Sequence, residues 1–243
     1  MFIKLASNYS PNFSSITRNQ KNIKFLVFHY TGMKTEKSAI QRLTDHNSKV
    51  SAHYFIKKNG EIILMVPDLH TAWHAGKSKW KNYNFLNNHS IGIEISNKGH
   101  KYGYHAYSKR QINSLSKISK ILIKKYKIKR KNILGHSDIA YDRKKDPGEK
   151  FPWKLLSKNK VGVWHNLNQK KLIKIRNVNI DNVEEKQLFK YLGKIGYFVK
   201  KISKLQKKKL LFAFQRRFRN EFISGKPDKE CLLIAEKLSK ISI

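Results

Sequence analysis

The chain has few acidic residues, one cysteine and no long apolar run. The last two shortages each exclude a class of structure. Its 16 Asp and Glu residues stand against 52 Lys and Arg residues, which gives a formal net charge of +36. The single Cys231 excludes an internal disulfide and any metal site built from cysteine alone. No stretch of about 18 apolar residues occurs, so the sequence predicts no transmembrane segment. The N-terminal stretch also lacks the apolar core of roughly 7–15 residues that a secretory signal needs.

The composition otherwise indicates a globular protein with a basic surface. At 243 residues and 40% hydrophobic content, the chain is long enough to bury the core of one or two domains. The positive charge suggests either a polyanionic partner or a lysine-rich background on every solvated face. Lysine is scattered from Lys4 to Lys240, and no nucleic-acid-binding motif accompanies it. The second interpretation is favoured, and we expect no specific nucleic-acid partner.

The most informative stretch is Phe25 to Gly32, where apolar and aromatic residues lead into His29. A short apolar run closed by glycine predicts a strand buried on both faces. Because alternate side chains point to opposite faces, Phe25, Val27 and His29 share one face. His29 is then held at the end of a central strand. The alternative is a core histidine that bonds to backbone.

The flanking patterns predict a mixed sheet covered by helices, an α/β fold. The Asn59-Gly60 pair between two β-rich runs predicts a hairpin. Residues 90–96 alternate, with isoleucines on one face and Gly92, Glu94 and Ser96 on the other. Ser108 opens a long amphipathic helix, and a strand over residues 132–134 leads to His136.

Two histidines and two acids are candidates for a metal-dependent hydrolytic site. His29, His136 and Asp146 supply two imidazoles and a carboxylate, a suitable donor set for catalytic zinc with an open fourth position. Glu94 is then available as a general base toward the attacking water, and Lys144 as a cation near the oxyanion. Spacing alone does not select this set, because the chain has ten histidines.

Several segments resemble a known family in sequence and in order. The motifs FLVFHYTG, VSAHYFI, TAWHAG, NNHSIGIEI, GHSDIAYDRKKDPG and FPW are similar to those of zinc-dependent N-acetylmuramoyl-L-alanine amidases of type 2. The resemblance spans roughly residues 24–156. It implies a mixed sheet flanked by helices, as in peptidoglycan recognition proteins. It also implies that His29, His136 and Asp146 bind one Zn²⁺ per chain, that Glu94 activates water, and that Lys144 stabilises the tetrahedral intermediate.

Four further residues are candidates for substrate binding. His53 lies in a family motif, and two explanations for it are equally favoured: a position facing the cleft and a structural hydrogen bond. His74 and Trp80 belong to a loop that resembles the wall of the family's substrate groove, although tryptophan is more commonly packed in a core. Asn88 precedes the Glu94 strand, where it would contact peptide or turn the chain.

The C-terminal quarter of the chain predicts a small all-α unit. A polar linker is expected at about residues 166–180, which separates a catalytic domain at 1–175 from a domain at 181–243. The patterns LFKYLGKIGY, AFQRRFR and GKPDKECLLIAEKL resemble three-helix peptidoglycan-binding domains. The two-domain arrangement is similar to the anhydro-muropeptide amidases of Gram-negative envelopes.

The expected activity is hydrolysis of the amide between N-acetylmuramic acid, including its anhydro form, and L-alanine of the peptidoglycan stem peptide. The alternative is a non-hydrolytic peptidoglycan recognition protein, which would need neither Glu94 nor Asp146. Peptidoglycan or muropeptide fragments are the expected partners, and we expect a monomer. The compartment stays open, because the family resemblance favours the periplasm and the absence of a visible signal favours the cytoplasm.

Overall fold

A computed structural model describes residues 5–241 of the chain. Within that range the strands are β1 (Leu5–Ser7), β2 (Phe13–Ser14), β3 (Phe25–Tyr30), β4 (Tyr54–Ile56), β5 (Ile62–Leu64), β6 (Thr71–Ala72), β7 (Lys79–Trp80), β8 (Tyr83–Asn84), β9 (Ser90–Ile95) and β10 (Ile133–Gly135). The α-helices are α1 (Glu36–Thr44), α2 (Lys109–Tyr126), α3 (His136–Ile139), α4 (Trp153–Lys158), α5 (Gln169–Ile175), α6 (Asn182–Ile195), α7 (Lys204–Phe218) and α8 (Lys229–Ser239). None of the helices in the described part of the chain is both long and apolar enough to cross a membrane.

Six strands form the main sheet in the order β1-β5-β4-β9-β3-β10. β4 and β5 pair antiparallel, and every other neighbouring pair is parallel. The turn between β4 and β5 carries Gly60 at a φ of 89°, a conformation that glycine adopts without strain. The predicted mixed sheet and its hairpin are therefore confirmed.

The register of the two central strands sets the position of the site. β3 and β9 run parallel, with His29 beside Glu94 and Val27 beside Gly92. Side chains that are neighbours across such a pair point to the same face of the sheet. The face that carries His29 therefore also carries Glu94.

The opposite face of the sheet is covered by α2. Leu26 and Phe28 from β3 and the isoleucines of β9 pack there with Leu115 and Leu122 from the helix. Ser108 begins α2 with a capping box to Gln111, which satisfies backbone donors of the first turn. The cluster on this face is built from hydrophobic side chains and includes none of the candidate site residues.

The face that carries His29 is shared by the site and by the C-terminal helices. Phe25 and Val27 from β3 belong to one apolar cluster with residues of α6, α7 and α8, such as Leu188, Phe214 and Cys231. On the other side, α1 packs over Phe55 through Ala39 and Leu43. Between α1 and the C-terminal cluster, this face opens at the carboxyl ends of the strands into a cleft that Glu94, His136 and Asp146 line.

The predicted polar linker at residues 166–180 is partly wrong, because α5 lies within it. The Asn168 side chain accepts a hydrogen bond from the Lys171 N–H and starts the helix. Leu172 is buried in the same cluster as the C-terminal helices. A single buried leucine among lysines is too weak a pattern to predict a helix from sequence.

Candidate active site

Three side chains converge at the carboxyl ends of β3 and β10. His29 Nδ1 lies 2.9 Å from His136 Nδ1 and 3.1 Å from Asp146 Oδ2, and His136 Nδ1 lies 3.0 Å from the same oxygen. Ligand atoms about 2.0–2.1 Å from a tetrahedral zinc are separated by roughly 3.3 Å. The three atoms thus have the spacing and the chemistry of a metal-binding set, and all three residues are buried.

Backbone geometry explains why these residues meet. β10 pairs parallel with β3, so Gly135 lies beside Phe28, and the residue that follows each of them is a histidine. α3 begins at His136 and turns the chain back. The Ser137 N–H then donates to the Asp146 carbonyl at 2.8 Å, which holds the third residue against the first turn of α3.

A chain of hydrogen bonds sets the tautomer of His29. The Ser90 hydroxyl donates to the Leu86 carbonyl at 2.5 Å, so its oxygen accepts from His74 Nε2 at 3.1 Å. His74 Nδ1 then carries a lone pair and accepts from His29 Nε2 at 3.0 Å. With its proton on Nε2, His29 presents a lone pair at Nδ1 toward Asp146 and His136.

His136 is oriented by a simpler contact. Its Nε2 donates to the Ala75 carbonyl at 3.1 Å, and a carbonyl only accepts. The His136 proton therefore sits on Nε2, and Nδ1 is left as an electron-pair donor. Both imidazoles thus present the same nitrogen, unprotonated, to one point.

The charges of the cluster are consistent with metal binding. Burial, reinforced by the neighbouring His136, lowers the pKa of His29 to about 4, so this imidazole is neutral near pH 7. Burial alone would raise the pKa of Asp146, but positive charge at this point, here that of the imidazoles in their protonated forms, outweighs it and holds that pKa well below its usual range. A neutral imidazole and an ionised carboxylate are the forms that bind a divalent cation.

Glu94 lies beside the cluster without joining it. Its side chain faces the same cleft as His136 and Asp146, and among the described residues its enclosed Oε2 has no hydrogen-bond partner. Burial, together with the charge of Asp146, raises the pKa of Glu94 to about 8. A carboxyl group with a raised pKa in a cleft is typical of a residue that accepts and returns a proton.

The cleft has a volume of about 570 Å³ and a basic lining. Lys144 is half-buried in it, close to Glu94 and Asp146, and the exposed Lys145 lines the rim. Arg42, Lys101 and Arg143 also line it. Sequence analysis missed these three, because a lysine-rich chain gives no signal that separates a basic cleft from a basic surface.

The two remaining histidine candidates have structural contacts. His53 is fully buried, its Nδ1 accepts from the Gly92 N–H at 3.0 Å, and its Nε2 donates to the His70 carbonyl at 3.1 Å. Of the two explanations for His53, the structure favours the structural hydrogen bond. His74 lines the cleft but lies mainly behind His29, in the chain described above.

Trp80 and Asn88 do not lie where a substrate-binding role requires. Trp80 is 1% exposed and packs against Tyr197, with ring centroids 4.9 Å apart. The prediction that Trp80 lines the wall of a substrate groove is therefore corrected, because the ring has no accessible face. Asn88 is exposed and does not line the cleft.

The neighbouring Asn87 has the positioning contacts that sequence analysis did not find. Its Oδ1 accepts from the N–H groups of His74 and Ala75, at 3.1 and 2.7 Å. Gly92 also contributes, because a Cβ atom there would lie only 2.3 Å from His74 Cγ. The space over Gly92 is thus filled by the imidazole that orients His29.

Comparisons with known proteins identify close relatives. The family model described as N-acetylmuramoyl-L-alanine amidase matches residues 19–149. The chain is 35% identical over 230 residues to the N-acetylmuramoyl-L-alanine amidase AmiD of Escherichia coli (strain K12), covering 89% of this chain and 82% of the relative. A solved complex of AmiD from E. coli with the substrate anhydro-N-acetylmuramic acid-L-Ala-D-gamma-Glu-L-Lys superposes with a TM-score of 0.78 at 34% identity, covering 89% and 88% of the two chains. The structure of AMPDH3 from Pseudomonas aeruginosa with anhydromuramic pentapeptide gives a TM-score of 0.77 at 30% identity, covering 93% and 94%.

Proposed function

Because the chain belongs to the N-acetylmuramoyl-L-alanine amidase family, we propose that it cleaves the amide between N-acetylmuramic acid and L-alanine of peptidoglycan fragments. The observation that carries this proposal is the His29, His136 and Asp146 cluster beside an enclosed carboxyl group in one cleft. A protein that only recognises peptidoglycan needs a groove, but it needs neither the metal-binding donor set nor the general base.

We propose that the metal is zinc and that His29, His136 and Asp146 hold it. Two nitrogen donors and one oxygen donor leave a tetrahedral site with one open position. When bound, zinc would supply a Lewis acid for the amide carbonyl and a lowered pKa for the attacking water. The donor set fits this ion, since the Nδ1 lone pairs of both imidazoles and the Asp146 carboxylate oxygen converge on one point.

The other steps belong to groups of the chain. Glu94 accepts a proton from the attacking water and returns it to the departing amine, because its carboxyl group has no competing partner among the described residues. Lys144 lies in the same cleft, where its ammonium group stabilises the oxyanion that develops on the carbonyl oxygen. Strand β9 of the sheet holds Glu94 in place while the proton is taken up and returned.

The basic lining of the cleft supports a muropeptide as substrate. Stem peptides carry free carboxylates, and Arg42, Lys101, Arg143 and Lys145 line the cleft around the reacting groups. The relatives AmiD and AMPDH3 bind anhydromuramyl peptides in their solved complexes. We therefore propose soluble anhydro-muropeptides as the first substrate to test.

The decisive experiment is product analysis on a purified anhydro-muropeptide. We expect mass spectrometry to show the free stem peptide and the anhydro sugar, with loss of activity after chelation and recovery on adding zinc. About one zinc per chain should be found by elemental analysis. Binding of the muropeptide without any cleavage by the zinc-loaded protein would favour the recognition protein instead.

The hydrogen bonds that join Ser90, His74 and His29 give a second prediction. A His74→Phe substitution keeps a ring of similar volume but removes the acceptor for His29 Nε2, so the tautomer of His29 is no longer fixed. Loss of such an outer contact typically weakens metal affinity by about 10–100-fold. Competition with a zinc-binding dye measures this affinity directly.

His165→Phe is a suitable control for the His74 experiment. His165 is also buried, and its Nδ1 accepts only from the Leu167 N–H in the described structure. We expect its loss to leave zinc affinity unchanged. Equal zinc affinities for the two variants would contradict the role assigned to His74.

We further propose that residues 1–175 form the catalytic domain and that residues 181–243 form a peptidoglycan-binding-like unit. The support is the sequence resemblance and the three helices α6, α7 and α8. A monomer is sufficient for this activity, because every proposed site residue comes from one chain.

A further inference from the structure

The geometry points to α7 of the C-terminal unit as a positioning element for the segments that carry His136 and Asp146. This inference rests on the proposed function, because the segments concerned hold two of the three proposed zinc ligands. The link is Asp138, a residue of the GHSDIA motif for which sequence analysis gave no role. None of the residues involved touches the reacting groups.

Asp138 lies two residues beyond His136 and is 1% exposed. Its Oδ2 accepts from the Gly135 N–H at 2.7 Å, which closes the turn around His136. Its Oδ1 accepts from the hydroxyl of Tyr197 at 2.6 Å. The turn that presents His136 is therefore bonded to a residue that follows α6, more than fifty positions later in the chain.

Arg217 of α7 contacts both the same turn and the strand that leads into it. One guanidinium nitrogen donates to Asp138 Oδ2, and another donates to the Ile133 carbonyl at 2.9 Å. Arg217 is 3% exposed, and its guanidinium lies 4.2 Å from the centroid of the Trp153 ring. A single side chain from the C-terminal unit thus ties together the start of β10 and the turn of α3, on both sides of His136.

The end of α7 also contacts the segment that follows Asp146. Asn220 Nδ2 donates to the Glu149 carbonyl at 2.8 Å, and Arg216 Nε lies 3.5 Å from a Glu149 carboxylate oxygen. The two ligand segments are themselves in tight contact, since a Cβ atom on Gly135 would lie 2.7 Å from Pro147 Cδ. A shift of α7 would therefore disturb both segments together.

A guanidinium is suited to this role because its planar set of donors reaches two acceptors with fixed geometry. A lysine at position 217 would keep the charge near Asp138 but would not reach both acceptors. The ligand atoms of His136 and Asp146 lie 3.0 Å apart. A small movement of the turn would therefore change the distances on which metal affinity depends.

The test measures zinc affinity in two variants, Arg217→Lys and Tyr197→Phe, by competition with a zinc-binding dye. We expect affinity to fall by about 10–100-fold for Arg217→Lys and by a smaller factor for Tyr197→Phe. With saturating zinc, we expect kcat to fall while KM changes little, because the basic residues that line the cleft are untouched. Tyr197→Phe removes one hydroxyl only, which keeps the test open if Arg217→Lys fails to fold.

Two matched controls separate positioning from general stability. Arg219 lies two residues beyond Arg217 and is equally buried, but its guanidinium pairs with Asp228 and Glu230, away from the ligand segments. Tyr126 donates to the buried Asp68 at 2.6 Å, as Tyr197 does to Asp138. We expect Arg219→Lys and Tyr126→Phe to lower the melting temperature and to leave zinc affinity at the wild-type value.

The inference is overturned if Arg217→Lys and Tyr197→Phe keep wild-type zinc affinity, or if the two controls lose affinity to the same degree. Failure of the proposed function is distinguishable, because the wild-type protein would then bind no zinc or cleave no muropeptide. A wild-type protein that is active and zinc-loaded, with unaffected variants, would contradict only the positioning role of α7.

Discussion

Glu94→Gln is expected to retain zinc and to lose turnover by roughly a hundred- to ten-thousand-fold, the usual contribution of a general base. The amide has the shape of the carboxyl group but does not take a proton from the attacking water. Glu94 is not one of the three residues whose donor atoms converge, so zinc content should stay near one per chain. The measurement is kcat on a purified muropeptide, with zinc determined on the same sample.

The environment of Glu94 makes this effect large. Its Oε2 is enclosed and unpartnered among residues 5–241, so no neighbouring group of the described chain would replace its function. Glu61→Gln serves as a control, because Glu61 pairs with Lys57 on the exposed hairpin turn. Near-normal turnover of the Glu94→Gln enzyme would rule out the role of general base.

Lys144→Ala is expected to lower kcat by about two to three orders of magnitude while KM changes little. Negative charge on the carbonyl oxygen develops only in the transition state, so the ammonium group stabilises that state more than the bound substrate. Removing one such donor costs about 2.7–4 kcal/mol in other hydrolases. Steady-state kinetics on a soluble muropeptide give both constants.

The neighbouring lysine provides the control for that experiment. Lys145 also lines the cleft but is exposed, whereas Lys144 is half-buried. We expect Lys145→Ala to change KM modestly, through weaker attraction of an anionic peptide, and to leave kcat unaltered. Similar small changes in both variants would mean that Lys144 is one more surface lysine of a basic chain.

The sequence predicts the central strands well because their pattern is local. The apolar run before His29 and the alternation around Glu94 each determine a buried strand by themselves, and the two strands lie side by side in the interior of the sheet. That the residues at the ends of the two strands lie close together is also predictable, since parallel strands place their carboxyl ends at one edge of the sheet. The side of the sheet on which His29 and Glu94 meet follows from that register.

The contacts that orient the site are not local, and so sequence analysis missed them. Tryptophan in a histidine-rich loop was predicted to line a groove, but Trp80 is buried because residues more than a hundred positions later, such as Tyr197, cover it. Arg217 belongs to a helix with two other basic residues, Arg216 and Arg219, in its last turn or just beyond. Nothing in that pattern distinguishes a buried arginine from a solvated one.

The choice of ligands came from the family resemblance and not from spacing. Ten histidines allow many pairs, and the sequence alone does not indicate which imidazole nitrogen faces inward. The structure resolves that point through the Ser90 hydroxyl and the Ala75 carbonyl, which fix the protons of His74 and His136. Those acceptors are backbone and hydroxyl groups with no sequence signature of their own.

The space over Gly92 has a consequence for how mutations in this protein would be interpreted. Any larger residue at position 92 competes with His74 for the same volume, so a change there displaces the group that orients His29. In a random-mutagenesis screen such variants would fail although the altered residue contacts neither metal nor substrate. They would be classified as folding defects, because position 92 lies within a strand of the sheet. The requirement for glycine there comes instead from the site, because the His74 imidazole occupies the volume that a side chain at position 92 would need.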